Sequence, residues 1–329
     1  VEVHGYRRLA YLSGPAGEQT AEALYRGYLN GLAQHGIAFD PTLVSPNHPI
    51  WGEPIGTGGV GTLMDERSLR PGLDFECIVA CGDREALAAV EALQSRGVRV
   101  PYDVAVTGFN NLEQAHLAYL SLTTGDRRVG EVARRATEML LDVLDGRPVP
   151  SSEILSPELV IRWSCGCIPE MVRQAASGIE SPSLSPSVVV GSEESHQAKE
   201  RVVTAITMAG SSTMLDQMPD LNPRWAEQLY DSFVSELYSD SPGLFLTVLE
   251  EILRDVVITG YRVTAWQDIL SEMRRSMRPF LRDAATNELA EDLWQQARTL
   301  LGDFAEREQG FRRLNDVVQV RIFNGIIQR

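Results

Sequence analysis

The chain has 329 residues, an apolar fraction of 43% and a formal charge of −15 at pH 7. That length suits about two domains with packed cores. The negative charge disfavours nonspecific nucleic-acid binding through this surface, because phosphates would be repelled.

In chain order, Arg7 to Ser13 (RRLAYLS) predicts a strand that ends in the turn signal Ser13-Gly14-Pro15. Ala21 to Gln34 predicts a helix stopped near Gly36. His48 to Gly61 is rich in Gly and Pro and is expected to be a loop. The GTGGVG run at Gly56 to Gly61 invites a phosphate-loop reading, but it lacks the Lys-Ser/Thr of a P-loop and no clear strand leads into it. Phe75 to Ala80 is an apolar strand ending in Gly82-Asp83, and the helix that follows closes at Gly97. Its residues Ala86, Ala89, Val90 and Leu93 share one face, which is expected to pack on a sheet. Val104 to Thr107 is the next strand, ending in Gly108-Phe109-Asn110-Asn111. Strand, crossover helix and strand in this order build a parallel sheet, so the fold class is α/β. Ligands of such sheets meet the carboxyl ends of the strands, which places Asp83 and Asn110 where a small polar ligand would be read. Val129 to Leu144 forms an amphipathic helix ending at Gly146, and Leu159 to Trp163 a last short strand.

Composition shifts at Cys167. Ser177 to Ser187 (SGIESPSLSPS) predicts a linker, within a boundary region set at residues 168–192. Beyond it an all-helical module is expected over 193–329, with helices near Glu193 to Gln217, Pro223 to Ser239, Gly243 to Gly260, Ala265 to Asp283, and from Glu288 onward. In the last of these, Leu301, Phe304, Phe311, Leu314, Val318 and Ile322 are spaced for one helix face, interrupted by Glu308 and Arg321. Trp225, Trp266 and Trp294 are spaced with apolar neighbours and predict core packing. Arg274, Arg275 and Arg278 predict a solvated helix face.

Two readings stand side by side at each candidate ligand residue. Asp83, between a strand and a helix, reads as a helix N-cap or as a ligand contact, and the two are compatible. Asn110 and Asn111 read as turn formers or as ligand contacts, and so does Ser13. Cys165 and Cys167 offer two thiolates, yet zinc sites usually need four ligands. The histidines His4, His35, His48, His116 and His196 show no metal-binding spacing and read as surface residues, so no metal is expected. No nucleophile–base pair or paired-carboxylate motif is legible, so no catalysis and no cofactor are expected. Four cysteines without a disulfide framework make a reducing cytosol the simplest compartment. No apolar run reaches the roughly 20 residues of a bilayer span, so no membrane partner is expected. Val1 is not an initiator methionine, and the chain is read as a fragment.

The segments GYRRLAYLSGP, RGYLNGLAQHGI, IVACGDREALAAVEAL, GVRVPYDVAVTGFNN, LTT and ELVIRWSCGC, in this order over about the first 167 residues, resemble the effector-binding domain of the lactose/galactose-repressor family. That fold is periplasmic-binding-protein-like, with two lobes and three crossings of the chain. The SCGC ending followed by helices resembles bacterial signalling proteins in which such a sensor precedes an output module. The resemblance implies that Val1 lies near the start of the second lobe, with the first lobe and any helix-turn-helix outside this chain. The helix Val129 to Leu144 would normally belong to that first lobe. Here its apolar face would need another partner, the carboxy-terminal helices being one candidate.

The resemblance also implies ligand contacts at Ser13, at Asp83 and at Asn110. An arginine that grips the ligand in relatives falls on Leu24, and the aspartate after the Gly-Phe pair falls on Asn110. Arg26, two residues past Leu24, points about 200° around the helix. The expected function is therefore a ligand-sensing region of a transcriptional regulator or signalling protein. It would bind a sugar-like metabolite, act as a homodimer and reach DNA only through a segment outside this chain. Two alternatives remain open: a degenerate, non-binding interaction scaffold, favoured by Leu24, and an extracytoplasmic solute-binding protein.

Overall fold

The computed structural model describes residues 1–176, 193–211, 222–238, 241–259, 261–281 and 283–327. Of the predicted linker region 168–192, residues 177–192 lie outside them, and its first part carries a short helix at Glu170–Arg173. The chain divides into two compact units, Val1–Cys167 and Ile168–Arg329.

The first unit is built on one sheet of five strands: β1 (Leu9–Leu12), β2 (Cys77–Ala80), β3 (Ala105–Phe109), β4 (Thr123–Asp126) and β5 (Glu158–Val160), in that spatial order. The first three pairings are parallel and the last is antiparallel. β1 and β2 are short and almost wholly apolar because both sheet faces are covered, as parallel sheets require. Period-two alternation sorts β1 onto those faces. Tyr11 stacks on Tyr28 of helix α1 (Gln19–Gln34), with ring centroids 4.8 Å apart. Leu12 turns the other way, against helix α2 (Glu53–Gly61).

Helix α2 corrects the loop expected at His48 to Gly61 from Glu53 onward, while residues 48–52 remain irregular. Glycine disfavours helix in isolation, but packing overrides that preference. A Cβ at Gly56 would lie 2.2 Å from the Glu85 carbonyl oxygen of α3 (Asp83–Gln94). One at Gly59 would lie 2.6 Å from Leu12 Cδ2. These glycines let a helix sit directly on α3 and β1.

α4 (Glu113–Leu117) is a short helix absent from the sequence reading. α5 (Val129–Leu144) has the predicted bounds, and its own unit does not cover its apolar face. Val129 is 63%, Leu140 59% and Leu144 72% exposed, and no residue of the helix is buried. Its register is held on the polar side by ion pairs, including Arg135 with Glu153 at 2.8 Å.

In the second unit, α6 (Glu170–Arg173), α7 (Glu193–Ser211), α8 (Trp225–Tyr238), α9 (Leu244–Ile258), α10 (Trp266–Met277) and α11 (Ala284–Ile327) follow in order. The three tryptophans are core residues as expected. Trp225 meets Trp266 edge-on at 5.2 Å, and Phe233 stacks on Trp294 at 5.3 Å. Glu236 of α8 accepts the Gly243 and Phe245 backbone N–H groups at 2.6 and 2.7 Å, which satisfies orphan donors at the start of α9. Of the predicted seam on α11, Leu301 and Phe304 are buried. The side chains at 311, 314, 318 and 322 lie outside the described residues. Arg274 and Arg275 pair with Glu291 and Glu272, in keeping with a solvated face.

Candidate functional site

The carboxyl ends of β1, β2 and β3 lie along one edge, because the three strands run parallel. Ser13, Asp83 and Asn110 follow those strands, so all three predicted residues come to this edge. They do not face the same surroundings.

Ser13 follows β1 and is buried. Its backbone N–H donates to Ser45 Oγ at 2.9 Å. It lines a hollow of about 310 Å³ together with Tyr11, Glu22, Tyr25, Ser45 and Asn47. Asn47 Nδ2 donates to the Gly14 carbonyl at 2.6 Å, which fixes the turn after β1. Tyr11 is 2% exposed, and its hydroxyl has no hydrogen-bond partner among the described residues. A buried hydroxyl without a partner is uncommon and asks for one. Burial raises the Tyr11 phenol well above its ordinary value, so it stays a neutral O–H that can donate as well as accept. The hollow holds one carboxylate, Glu22, and no basic side chain. Leu24, where the family pattern has arginine, leaves it without a cation.

Asp83 sits behind the turn that follows β3. It is fully buried, and it does not cap its helix through its side chain. Its Oδ2 accepts the Leu112 N–H at 2.7 Å and its Oδ1 the Thr124 hydroxyl at 2.5 Å. The N-cap reading is not met; Asp83 instead pins the turn after β3 to β4. Burial raises its carboxyl above the ordinary value, and the Thr124 and Leu112 bonds work against that rise.

Asn110 sits in that pinned turn. Its φ is +114° and that of Asn111 is +52°, a conformation that costs a side-chain-bearing residue free energy and that Asn tolerates best. The turn-former reading is therefore met, and the half-exposed Asn110 side chain stays available at the edge. Asn111 Nδ2 donates to Asp126 Oδ2 at 3.0 Å, while Arg162 donates to Asn111 Oδ1 at 2.8 Å. The Arg128 backbone N–H and the Asn111 amide hold the Asp126 carboxyl below its ordinary value.

Tyr11, Ser45, Asn47 and Arg162 were missed from sequence. Tyr11 lies inside a strand and signals only core. Ser45, Asn47 and Arg162 come from segments far from the strand tips in sequence, and only the fold brings them there.

Elsewhere in this unit His4, exposed at the surface as expected, comes together with Cys165 and Cys167. Their ligand atoms all lie within 4.8 Å of one another.

Residues 2–165 match the family model of the periplasmic binding protein-like domain. The HTH-type transcriptional repressor MelR of Bacillus subtilis is 31% identical over 171 residues, covering 50% of this chain and 47% of its own length. The HTH-type transcriptional regulator AscG of Escherichia coli is 31% identical over 160 residues, covering 49% and 46%. The crystal structure of the Escherichia coli repressor ascG aligns with a TM-score of 0.44 at 31% identity, over 49% of this chain and 56% of that one. The chain thus spans about half the length of the curated relatives it matches.

Proposed function

We propose, from the membership of residues 2–165 in the periplasmic binding protein-like family, that this segment is the ligand-binding half of a regulatory sensor and has no catalytic role. Its ligand would be a small, neutral, hydroxyl-rich molecule of the sugar class. The observation that carries this reading is the buried, unpartnered Tyr11 hydroxyl lining the hollow beside Ser13. The hollow offers hydroxyls, an amide and one carboxylate, which suits a neutral polyol and disfavours an anion. In this reading Ser13, Tyr11 and Asn110 touch the ligand, while Asp83 positions Asn110 by holding its turn. The relatives are transcriptional regulators by name, which supports a regulatory, cytoplasmic role for the parent protein. Binding would shift the protein between two arrangements by the ligand's difference in affinity for them. The change would pass to the helical unit.

Calorimetric titration with neutral mono- and disaccharides tests this. One sugar is expected to bind, and Tyr11→Phe and Asn110→Gly are each expected to weaken it about tenfold, or about 1.4 kcal/mol. Gly keeps the positive φ and removes only the side chain. Binding that both variants leave unchanged would end this assignment of the site.

The exposed stripe of α5 favours a second reading, an interaction scaffold that self-associates. Sedimentation of the wild-type chain and of Leu140→Glu/Leu144→Glu separates the two readings. A dimer lost in the variant, without any sugar binding, would support the scaffold.

A further inference from the structure

We propose that His4, Cys165 and Cys167 form a binding site for a thiophilic divalent cation of the zinc class. Two thiolates and an imidazole are the donor set such a cation selects. The geometry is close to ready. His4 Nε2 lies 3.0 Å from Cys167 Sγ, and the three donor atoms fall within 4.8 Å of one another. Zinc bonds of about 2.3 Å to sulfur and about 2.0 Å to nitrogen, set tetrahedrally, place such donors about 3.6–3.8 Å apart. Adjustments of about 1 Å or less, within the reach of side-chain rotation, convert the cluster into that arrangement.

The surroundings fit the same conclusion. Gly166 has φ +91°, which turns the chain between the two cysteines so that both sulfurs reach one imidazole. The His4 ring is held by stacking on Tyr6 at 5.1 Å, with the planes 12° apart. The three donors line a hollow of about 530 Å³ whose walls include Leu9, Val79 and Ile161. A divalent cation with two thiolates and a neutral imidazole is a complex of zero net charge, the form an apolar wall tolerates. On binding, each thiol gives its proton to solvent, so two protons leave per cation. Three protein donors leave the fourth position to water or to a small exogenous ligand. The cation would also tie the segment before β1 to the segment after β5.

The reduced 329-residue chain, titrated with Co²⁺ without oxygen, tests the site. The expected result is one equivalent bound, with an intense thiolate-to-cobalt charge-transfer band and four-coordinate visible bands that Zn²⁺ abolishes. His4→Ala, at an exposed position, and Cys167→Ser are each expected to weaken binding at least tenfold. Cys165 is buried, so these two variants, whose folding circular dichroism confirms, carry the test. Absence of the charge-transfer band, or binding equal in wild type and His4→Ala, would overturn the proposal. So would a Cys165–Cys167 disulfide that persists under thiol reductant.

Discussion

Helix α5 of the sheet unit and helix α9 of the helical unit both repeat apolar residues at helical spacing, and they end in opposite surroundings. In α9, Leu246, Leu249, Leu253 and Val256 are buried beneath neighbouring helices of the same unit. In α5, Val129, Leu140, Leu141 and Leu144 are exposed. An apolar stripe states a demand for cover and says nothing about what supplies it. The helical unit meets the demand within itself. On α5 the sheet unit leaves it unmet.

The two units also handle buried charge differently. Asp83 of the sheet unit is held by neutral donors, a backbone N–H and a hydroxyl. In the helical unit, Arg307 is 3% exposed and pairs with Asp303 at 3.0 Å, while Glu250 pairs with Arg254 at 2.5 Å. Glu250 also acts on Arg307 electrostatically. Burial lowers the Arg307 guanidinium from its ordinary value, and the two carboxylates oppose that shift.

The largest expected effect tests this contrast directly. Arg307→Ala removes the ion-pair partner of the buried Asp303 carboxylate and is expected to cost about 3–5 kcal/mol in urea unfolding. A cost near zero would mean that water reaches the cluster. Asp83→Ala strands a buried N–H and a hydroxyl and is expected to cost about 3 kcal/mol by the same measurement. Through the loosened turn it should also weaken any ligand that Asn110 touches.

A pH experiment sharpens the comparison further. Burial raises the Glu236 carboxyl above its ordinary value, against the pull of the Gly243 and Phe245 N–H bonds. The folded state therefore holds that proton more tightly than the unfolded one. Its stabilising contribution is complete in acid, below the ordinary carboxylate value, and is lost as pH rises through the raised folded value. Wild type is expected to lose stability relative to Glu236→Gln over that rise, measured by urea midpoints at successive pH. A wild type that gains on the variant as pH rises would reverse the assigned sign. The smallest effect belongs to α5: Leu144→Lys is expected to change stability by less than about 0.5 kcal/mol at low protein concentration. A cost above about 1.5 kcal/mol would show that the stripe is covered after all.

Much of the sheet unit was legible in advance. Strands β1, β2 and β3 and helices α1, α3 and α5 stand within a few residues of where periodicity and turn signals put them, because each signal is local. α2 was not legible. Its glycines argue for a loop in any short window, and only the close approach of α3 and Leu12 reverses that. Asp83 and Asn110 were found through the rule that strand tips face ligands, yet their roles diverged. The sequence shows that a carboxylate follows a strand but not which donors lie across from it.

The amino-acid order alone determined that a parallel α/β unit precedes a helical one, and that three polar residues reach the carboxyl edge of its sheet. Hydrophobic period and turn chemistry act over a few neighbours, and those are written in the chain. Tertiary structure decided that Asp83 is buried as a pin, that Tyr11 presents an unpartnered hydroxyl beside Ser13, and that His4 meets Cys167 across 163 positions of chain. Those outcomes depend on which distant groups share a desolvated space, and no local pattern encodes that.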